Sequence, residues 1–257
     1  MLVICAGLAV AVTGLGALAH AAARRSVLSR VRGSLQRDGV QRTGRRLLSK
    51  IADYSFDVRY GTDTGRWVEC HDLDLAGPNA PHAVNYAPTR AREFRELLRT
   101  MAVPSDGVFV DFGSGKGRVL LLASDYGFRK VVGVELSPAL CETARANVLA
   151  YRRRKPAGAP ISIVEADAAA YEFCDDETVI FLFNPFGPLV VSAVLDSTRA
   201  SIARQPRQLW LIYNNPSCHD LLDHAGYLRK LRDFEFSSSI FAVYTNDSVP
   251  ALAKVQA

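Results

Sequence analysis

The chain has 257 residues, 49% hydrophobic and 22% charged, which fits one large domain or two small ones and excludes a broadly disordered or collagen-like protein. Its five cysteines are scattered and form no C-x-x-C pair, which excludes a zinc ribbon and disfavours a disulfide framework, so a reducing compartment is expected. The formal charge of +5 comes from residues 24–50, whose net charge is +8, and because the rest of the chain sums to −3, no nucleic-acid partner is expected.

An uncharged apolar run opens the chain. Leu2–Ala19 has Thr13 as its one polar side chain and is just long enough to cross a bilayer core of about 30 Å. Residues 1–23 are therefore predicted to form a hydrophobic membrane-anchor helix, and the basic juxtamembrane segment 24–50 predicts that the remaining chain is cytoplasmic. A cleaved signal, an organelle-targeting segment or a peripheral helix is the alternative. The basic segment could bind anionic lipid, or it could be a solvated helix that only sets the membrane topology.

Residues 51–85 form an irregular lead-in without regular strand or helix patterns. Turn-forming sequences occur at 60–65 (YGTDTG) and 77–79 (GPN). We interpret this segment as a cover for a site.

Residues 86–257 are predicted to form one domain in which short apolar strands alternate with helices, the pattern of an α/β fold with a doubly wound, mostly parallel sheet. The predicted strands are Val108–Asp111, Lys130–Glu135, Ile161–Val164, Val179–Phe183, Leu209–Tyr213, Leu228–Phe236 and Ile240–Tyr244. The predicted helices are Arg90–Met101, Arg118–Tyr126, Pro138–Tyr151, Pro188–Arg204 and Ser217–Ala225, and the basic residues 152–155 are assigned to a solvated loop.

The first predicted strand leads into a glycine-rich turn and then into a helix. Gly113, Gly115 and Gly117 stand at alternate positions, which brings backbone N–H groups and a helix N-terminus close to a polar or anionic ligand. A dinucleotide fingerprint, G-x-G-x-x-G, would have its third glycine where this chain has Arg118, and a phosphate loop would need Ser or Thr after Lys116. Both of those motifs are therefore disfavoured.

Two carboxylates follow the next two strands. Glu135 ends the second strand 22 residues after Gly113, where the hydroxyl groups of a nucleoside ribose need a hydrogen-bond acceptor. Asp167 follows the third strand, and capping of a turn is an equally ordinary role for it.

Together these residues resemble motif I and the motifs that follow it in class I S-adenosylmethionine-dependent methyltransferases. The resemblance covers about residues 86–245 and implies a seven-stranded sheet with one antiparallel strand. It also implies that the cofactor S-adenosylmethionine binds across the glycine turn, with the following residues as its site: Asp111 near the methionine end, Gly113, Ser114, Gly115 and Gly117 in the turn, Glu135 on the ribose and Asp167 on the adenine.

Asn184-Pro185-Phe186, after the fourth strand, is similar to a shortened Asn/Asp-Pro-Pro-aromatic motif of amino-group methyltransferases, with one proline instead of two. The resemblance implies a catalytic role in which an amide oxygen and a main-chain carbonyl orient the target nitrogen. The alternative is a helix start with Asn184 as the N-cap. Tyr86-Ala87-Pro88-Thr89 likewise either resembles an element of membrane-associated protein-lysine methyltransferases or starts a helix.

The sequence thus predicts a membrane-associated S-adenosylmethionine-dependent methyltransferase. The expected acceptor is an amino group, such as a protein lysine, or a hydroxyl group, and lipid or glycoconjugate acceptors stay open. The alternatives are a dinucleotide-binding oxidoreductase and a membrane-tethered binding module without turnover. No metal site is predicted, because the histidines show no H-x-x-x-H pairing.

Overall fold

The computed structural model describes residues 54–236 and 238–246. Its strands are β1 (Val108–Phe112), β2 (Lys130–Glu135), β3 (Ile161–Glu165), β4 (Glu177–Leu182), β5 (Trp210–Asn214), β6 (Leu228–Glu235) and β7 (Ile240–Asn246). They form one sheet in the order β3-β2-β1-β4-β5-β7-β6, and β7 alone runs antiparallel to its neighbours. The predicted seven-stranded, mostly parallel sheet with one antiparallel strand is confirmed.

Helices cover both faces of this sheet. Residues 54–60 are helical (α1), and the others are α2 (Ala91–Met101), α3 (Arg118–Ser124), α4 (Pro138–Arg154), α5 (Pro188–Arg204) and α6 (His219–Asp223). Side chains alternate across β1, so that Phe109 joins a core with α2, α3 and α4, whereas Val108 and Val110 join a second core with α5 and α6. The doubly wound arrangement is therefore confirmed as well.

Local sequence explains where the helices begin and which face they bury. In α2 the buried residues Phe94, Leu97, Leu98 and Met101 recur at the spacing of one helix face. At the start of α4, the Ser137 hydroxyl accepts a hydrogen bond from the Leu140 N–H, and a proline occupies the first turn. These signals are local, so the element bounds predicted from them agree closely with the structure.

The predicted solvated loop at residues 152–155 is wrong for its first part, because α4 continues to Arg154. Arg152 donates hydrogen bonds to the carbonyls of Ala157 and Ala159, and Arg154 donates to the carbonyls of residues 58 and 59. Cationic side chains are also favourable at the carboxyl end of a helix dipole. These arginines therefore extend the helix and fasten it to its surroundings.

The predicted strand Val179–Phe183 is displaced by one to two residues, since β4 begins at Glu177 and ends at Leu182. The chain leaves the sheet after Leu182 because Asn184 adopts the left-handed conformation, with φ of 43°. The predicted helix Ser217–Ala225 is likewise shorter, and α6 spans His219–Asp223.

The predicted membrane-anchor helix and basic segment, residues 1–50, lie outside the described residues. Among the residues that are described, no helix combines the length and apolar character needed to cross a bilayer.

Candidate functional site

A cleft of about 750 Å³, measured out to open solvent, lies at the carboxyl ends of β1, β2 and β4. This is the edge at which open parallel sheets bind ligands. The sheet side contributes Gly113, Gly115, Glu135, Asp167, Phe183, Pro185 and Phe186, and the lead-in side contributes Leu73, Leu75, Asn79, Ala83, Val84, Asn85, Tyr86 and Ala87. We call residues 73–87 the strap, because they form one wall of the cleft.

The three glycines of the turn all have positive φ, of 73°, 53° and 81°. Gly113 and Gly115 also lie so close to another side chain that no Cβ would fit. A Cβ on Gly113 would overlap the Pro185 ring, and a Cβ on Gly115 would overlap the Tyr86 ring. The glycine turn is therefore required both by its backbone conformation and by the side chains that cross it.

The N–H groups of the turn are already bonded within the protein. Those of Gly113 and Ser114 donate to the Val134 carbonyl, at 2.8 and 3.1 Å, and that of Gly117 donates to the Ser114 carbonyl. The Gly115 N–H donates to Glu135 Oε2 at 2.8 Å. A pyrophosphate-binding turn needs such N–H groups for its ligand. The four bonded N–H groups are therefore not available to an anionic ligand, and of the polar or anionic ligand expected at this turn, the polar one fits better.

Two buried carboxyl groups lie under the cleft. Burial, and then the charge of Glu135, raises the pKa of Asp111 well above its ordinary value. Burial also raises the pKa of Glu135, although hydrogen bonds from the Ser137, Gly115 and Leu136 N–H groups oppose this shift. The two oxygens of a carboxylate offer about four lone-pair sites, so Glu135 retains acceptor capacity beyond these bonds. Both shifts favour the protonated carboxyl, and a cationic ligand beside the pair would favour the carboxylate form instead, so these two groups suit a hydroxylated or cationic ligand.

Ser114 differs from the other predicted cofactor-binding residues. Its hydroxyl is buried, faces Gly133 and has no hydrogen-bond partner among the described residues. Ser114 is not among the residues that line the cleft, and its part in the cofactor site stays a prediction.

Asp167 lies in the cleft wall and has two partners. Its Oδ1 accepts the Ala169 N–H at 2.9 Å, as the capping alternative predicts, and its Oδ2 accepts the Asn79 amide at 2.8 Å. Asp167 thus caps the turn and also lines the cleft.

The segment Asn184-Pro185-Phe186 does not open a helix, because Gly187 is the N-cap of α5. Pro185 and Phe186 line the cleft. The Asn184 side-chain oxygen instead accepts hydrogen bonds from the hydroxyls of Ser217 and of Tyr213, the latter at 3.4 Å. The helix-start alternative is therefore wrong, and the predicted catalytic amide is engaged by Tyr213 near the end of β5 and by Ser217 in the loop after it.

The sequence patterns do not reveal the residues that hold the lead-in against the glycine turn. The buried Arg118 donates to Thr64 Oγ1 at 2.7 Å and to Asp57 Oδ2 at 3.3 Å. Lys116 pairs with Asp63 at 3.0 Å, and the Tyr86 hydroxyl donates to the Thr64 carbonyl. The turn-forming sequence at 60–65 is the one available signal, and these contacts explain why Lys116 and Arg118 stand among the glycines.

One cluster among the residues in 54–236 and 238–246 has three side chains within reach of a common metal ion. It consists of His219, Asp220 and Asp223, which are all exposed. The expectation that the protein has no metal site stays a prediction.

Comparisons with known proteins bear on the family. Residues 109–204 match the model of the methyltransferase domain family, which confirms the predicted resemblance over that stretch. A protein-lysine N-methyltransferase from Saccharolobus islandicus (strain REY15A) is 36% identical over 69 residues. That alignment covers 26% of this chain and 42% of the relative, so it spans less than half of the relative's length.

Two solved structures are similar to this chain over part of its length. An RNA methyltransferase from Salinibacter ruber, in complex with S-adenosyl-L-homocysteine, has a TM-score of 0.47 at 20% identity, with 64% of this chain and 97% of that chain covered. A ribosomal protein L11 methylase from Lactobacillus delbrueckii subsp. bulgaricus has a TM-score of 0.46 at 12% identity, with 61% and 78% covered.

Proposed function

We propose that this protein, whose residues 109–204 match the methyltransferase domain family, is an S-adenosylmethionine-dependent methyltransferase. The observation that carries the proposal is the pair of buried carboxyl groups, Asp111 and Glu135, beside a turn in which the Gly113, Ser114, Gly115 and Gly117 N–H groups are bonded internally. A sulfonium nucleoside is positively charged at its reactive sulfur and would favour the carboxylate form of these groups, whereas a dinucleotide brings an anionic pyrophosphate, for which these four N–H groups are not free.

The residues of the cleft fit this cofactor. Glu135 would accept from the ribose hydroxyls, Asp167 would accept from the adenine amino group, and Asp111 would lie near the methionine end. S-adenosylmethionine, when bound, would supply a methyl group that is attached to a sulfonium sulfur. The acceptor would attack the methyl carbon in line with the carbon–sulfur bond, and the sulfur would be the group displaced. The chain's own contribution is then alignment of the acceptor and exclusion of water by Tyr86, Pro185 and Phe186.

We favour an amine as the acceptor, with a protein lysine as the leading candidate. The apolar wall of Phe183, Pro185 and Phe186 would favour the uncharged amine that the displacement needs. A hydroxyl acceptor would need a general base. Tyr86 does not supply one, because burial raises its pKa and its hydroxyl donates to the Thr64 carbonyl. The similarity to a protein-lysine methyltransferase supports the same choice.

The cofactor part of the proposal is tested by calorimetric titration of the full chain with S-adenosylmethionine. We expect saturable binding that Glu135→Ala weakens at least tenfold, since the variant loses the ribose acceptor and a partner of the Gly115 N–H. Glu165→Ala is the matched control, because Glu165 pairs with Glu135 in register at the end of β3 but is exposed. Absence of binding to a folded wild-type chain would refute the cofactor assignment.

The acceptor part is tested with radiolabelled S-adenosylmethionine and poly-L-lysine, with poly-L-arginine as the control polymer. We expect methyl-lysine in acid hydrolysates of the poly-L-lysine reaction and no label when Glu135→Ala replaces the wild type. Transfer to lysine-blocked protein or into an organic lipid extract, without methyl-lysine, would contradict the amine assignment.

We further propose that the protein is membrane-associated, with its methyltransferase domain on the cytoplasmic side. The support is the apolar run Leu2–Ala19 followed by the basic residues 24–50. In fractionated cells we expect the full chain to stay with membranes after alkaline washing and Val10→Arg to be released, with Thr13→Ser as the control. Release of the wild type by the same wash would contradict an integral anchor.

A further inference from the structure

The cleft wall contains a contact that joins the lead-in to the predicted adenine-binding residue. The Asn79 amide nitrogen donates to Asp167 Oδ2 at 2.8 Å, across 88 residues of sequence. Both side chains line the cleft. A carboxylate only accepts, so the amide nitrogen of Asn79 is the atom that faces Asp167, and its Oδ1 remains an acceptor.

The backbone holds Asn79 in this place. Its carbonyl accepts the His82 N–H at 3.0 Å, within the short turn Ala80–His82, and the His82 carbonyl accepts the Gly187 N–H at 3.0 Å. Ala83 forms an antiparallel bridge with Phe186. This part of the strap is therefore tied to the sheet side of the cleft at both Asp167 and Phe186, and Asn79 is a fixed part of the cleft wall.

The acceptor on Asn79 has no assigned use within the protein. No residue in 54–236 or 238–246 donates a hydrogen bond to Asn79 Oδ1, whereas Asn85, the other strap asparagine in the cleft wall, accepts the Cys70 N–H at 2.9 Å through its Oδ1. The Asp167 carboxylate and the Asn79 amide that contacts it thus bring two kinds of acceptor to one wall of the cleft. An exocyclic amino group, which has two N–H donors, matches such a pair.

We propose that Asn79 is a specificity-determining residue for the nucleoside base, and that it reads the adenine amino group together with Asp167. This inference rests on the proposed function and adds a residue from outside the matched methyltransferase domain. A base that has a carbonyl oxygen in place of the amino group would present a third acceptor to this pair and would be rejected. Asp167 orients the Asn79 amide, and Asn79 supplies the second acceptor.

The test compares, by calorimetry, the affinities of the full chain for S-adenosylhomocysteine and S-inosylhomocysteine, in which a carbonyl oxygen and an N1–H replace the amino group and the unprotonated N1 of adenine. We expect the wild type to prefer the adenine compound and Asn79→Ala to reduce that preference about tenfold, chiefly by weaker binding of S-adenosylhomocysteine. Asn85→Ala is the matched control, since it loosens the strap elsewhere and should leave the preference unchanged. Circular dichroism checks that each variant is folded.

The outcomes are distinguishable. Equal weakening of both compounds by Asn79→Ala would assign Asn79 a structural role in the strap and overturn the inference, as would an unchanged preference with unchanged affinities. A fall in preference in Asn85→Ala equal to that in Asn79→Ala would overturn it too, because the effect would then belong to the strap as a whole. Failure of the folded wild type to bind either compound would refute the proposed function, and with it the inference.

Discussion

At the scale of single residues, burial changes the protonation of Glu177 at the start of β4. Burial raises the pKa of this carboxyl from 4.5 to about 7, although hydrogen bonds from the Tyr171 hydroxyl and the Cys174 N–H oppose the shift. Between these two values the folded protein retains a proton that the unfolded chain has lost. The stability that Glu177 contributes is therefore full below pH 4.5 and declines as the pH rises towards 7.

We predict that Glu177→Gln raises the free energy of unfolding at pH 8 by up to about 3 kcal/mol and leaves it nearly unchanged at about pH 4. The glutamine oxygen can accept the Cys174 N–H and its amide can donate to Tyr171, so both contacts survive. Urea unfolding at both pH values measures the difference. Glu172→Gln, at an exposed position nearby, is the control, and an equal effect of Glu177→Gln at both pH values would contradict the pKa assignment.

Gly115 and Tyr86 form a second residue-scale unit. A Cβ on Gly115 would be strained by a φ of 53° and would overlap the Tyr86 ring. Gly115→Ala should therefore destabilise the fold by about 1–3 kcal/mol. In the double variant with Tyr86→Ala, part of this loss should be recovered, because the ring no longer collides with the new methyl group. Thermal unfolding of both single variants and the double variant measures this coupling.

Gly77→Ala provides the comparison for Gly115. Gly77 also has a positive φ, of 101°, but among the described residues no atom lies within 4 Å of the place that its Cβ would take. The stability lost in Gly77→Ala should come from backbone strain alone and should be the same with or without the Tyr86 ring. Strictly additive effects of Gly115→Ala and Tyr86→Ala would show that the ring does not limit the turn.

At the scale of elements, the α/β part can be predicted from the sequence and the lead-in cannot. The bounds of β2 and α5 follow from local signals, such as an apolar run that ends at Glu135 or a proline in the first turn of a helix. The sequence of segment 51–85 shows no local signal of this kind. Its place depends on contacts such as those of Arg118 with Thr64 and of Asn79 with Asp167, which join residues 54 and 88 positions apart.

The same distinction applies to the site. The glycines, Glu135 and Asp167 can be found from spacing, because each follows a strand at the same sheet edge. The engagement of Asn184 by Ser217 and Tyr213 depends on how two loops meet, which no local pattern records. No local pattern reveals the contact of Asn79 with Asp167 either, since the strap reaches the cleft only in the folded chain.

The contacts that hold the lead-in against the glycine turn should contribute strongly to the free energy of unfolding. Asp57 accepts hydrogen bonds from Thr62, Thr64 and Gly65 and pairs with Arg118, whose side chain is 1% exposed. Asp57→Ala should cost about 3 kcal/mol, because it weakens the compensation of a buried charge and frees several donors. Asp176→Ala breaks the exposed pair with Arg129 and should cost less than about 1 kcal/mol. Equal losses in chemical unfolding would contradict the importance of the docking.

At the scale of the whole molecule, the sheet forms a rigid floor for the cleft, and the strap forms its cover. The floor strands are buried among two cores, whereas the strap is held by separate local contacts, which include the Val68–Tyr86 and Ala83–Phe186 bridges and the hydrogen bonds from the Gly187 N–H to the His82 carbonyl and from Asn79 to Asp167. A cofactor that enters beneath the strap must first separate some of these contacts. Opening of the strap should therefore cost much less free energy than global unfolding.

Hydrogen exchange of the full chain tests whether the strap opens while the sheet stays folded. Without ligand, we expect the amides of the strap to exchange at least a hundredfold faster than those of β1 and β4, because local opening exposes them while the sheet stays closed. Saturating S-adenosylhomocysteine should slow exchange in the strap and leave the central strands unchanged, since a ligand that binds only the closed cover raises the cost of opening it. Glu135→Ala, with its ribose acceptor removed, should show less slowing than the wild type at the same ligand concentration. Strap amides that exchange as slowly as those of β1 in the free protein would mean that the cover does not open locally, and entry to the cleft would then require a different part of the molecule to move.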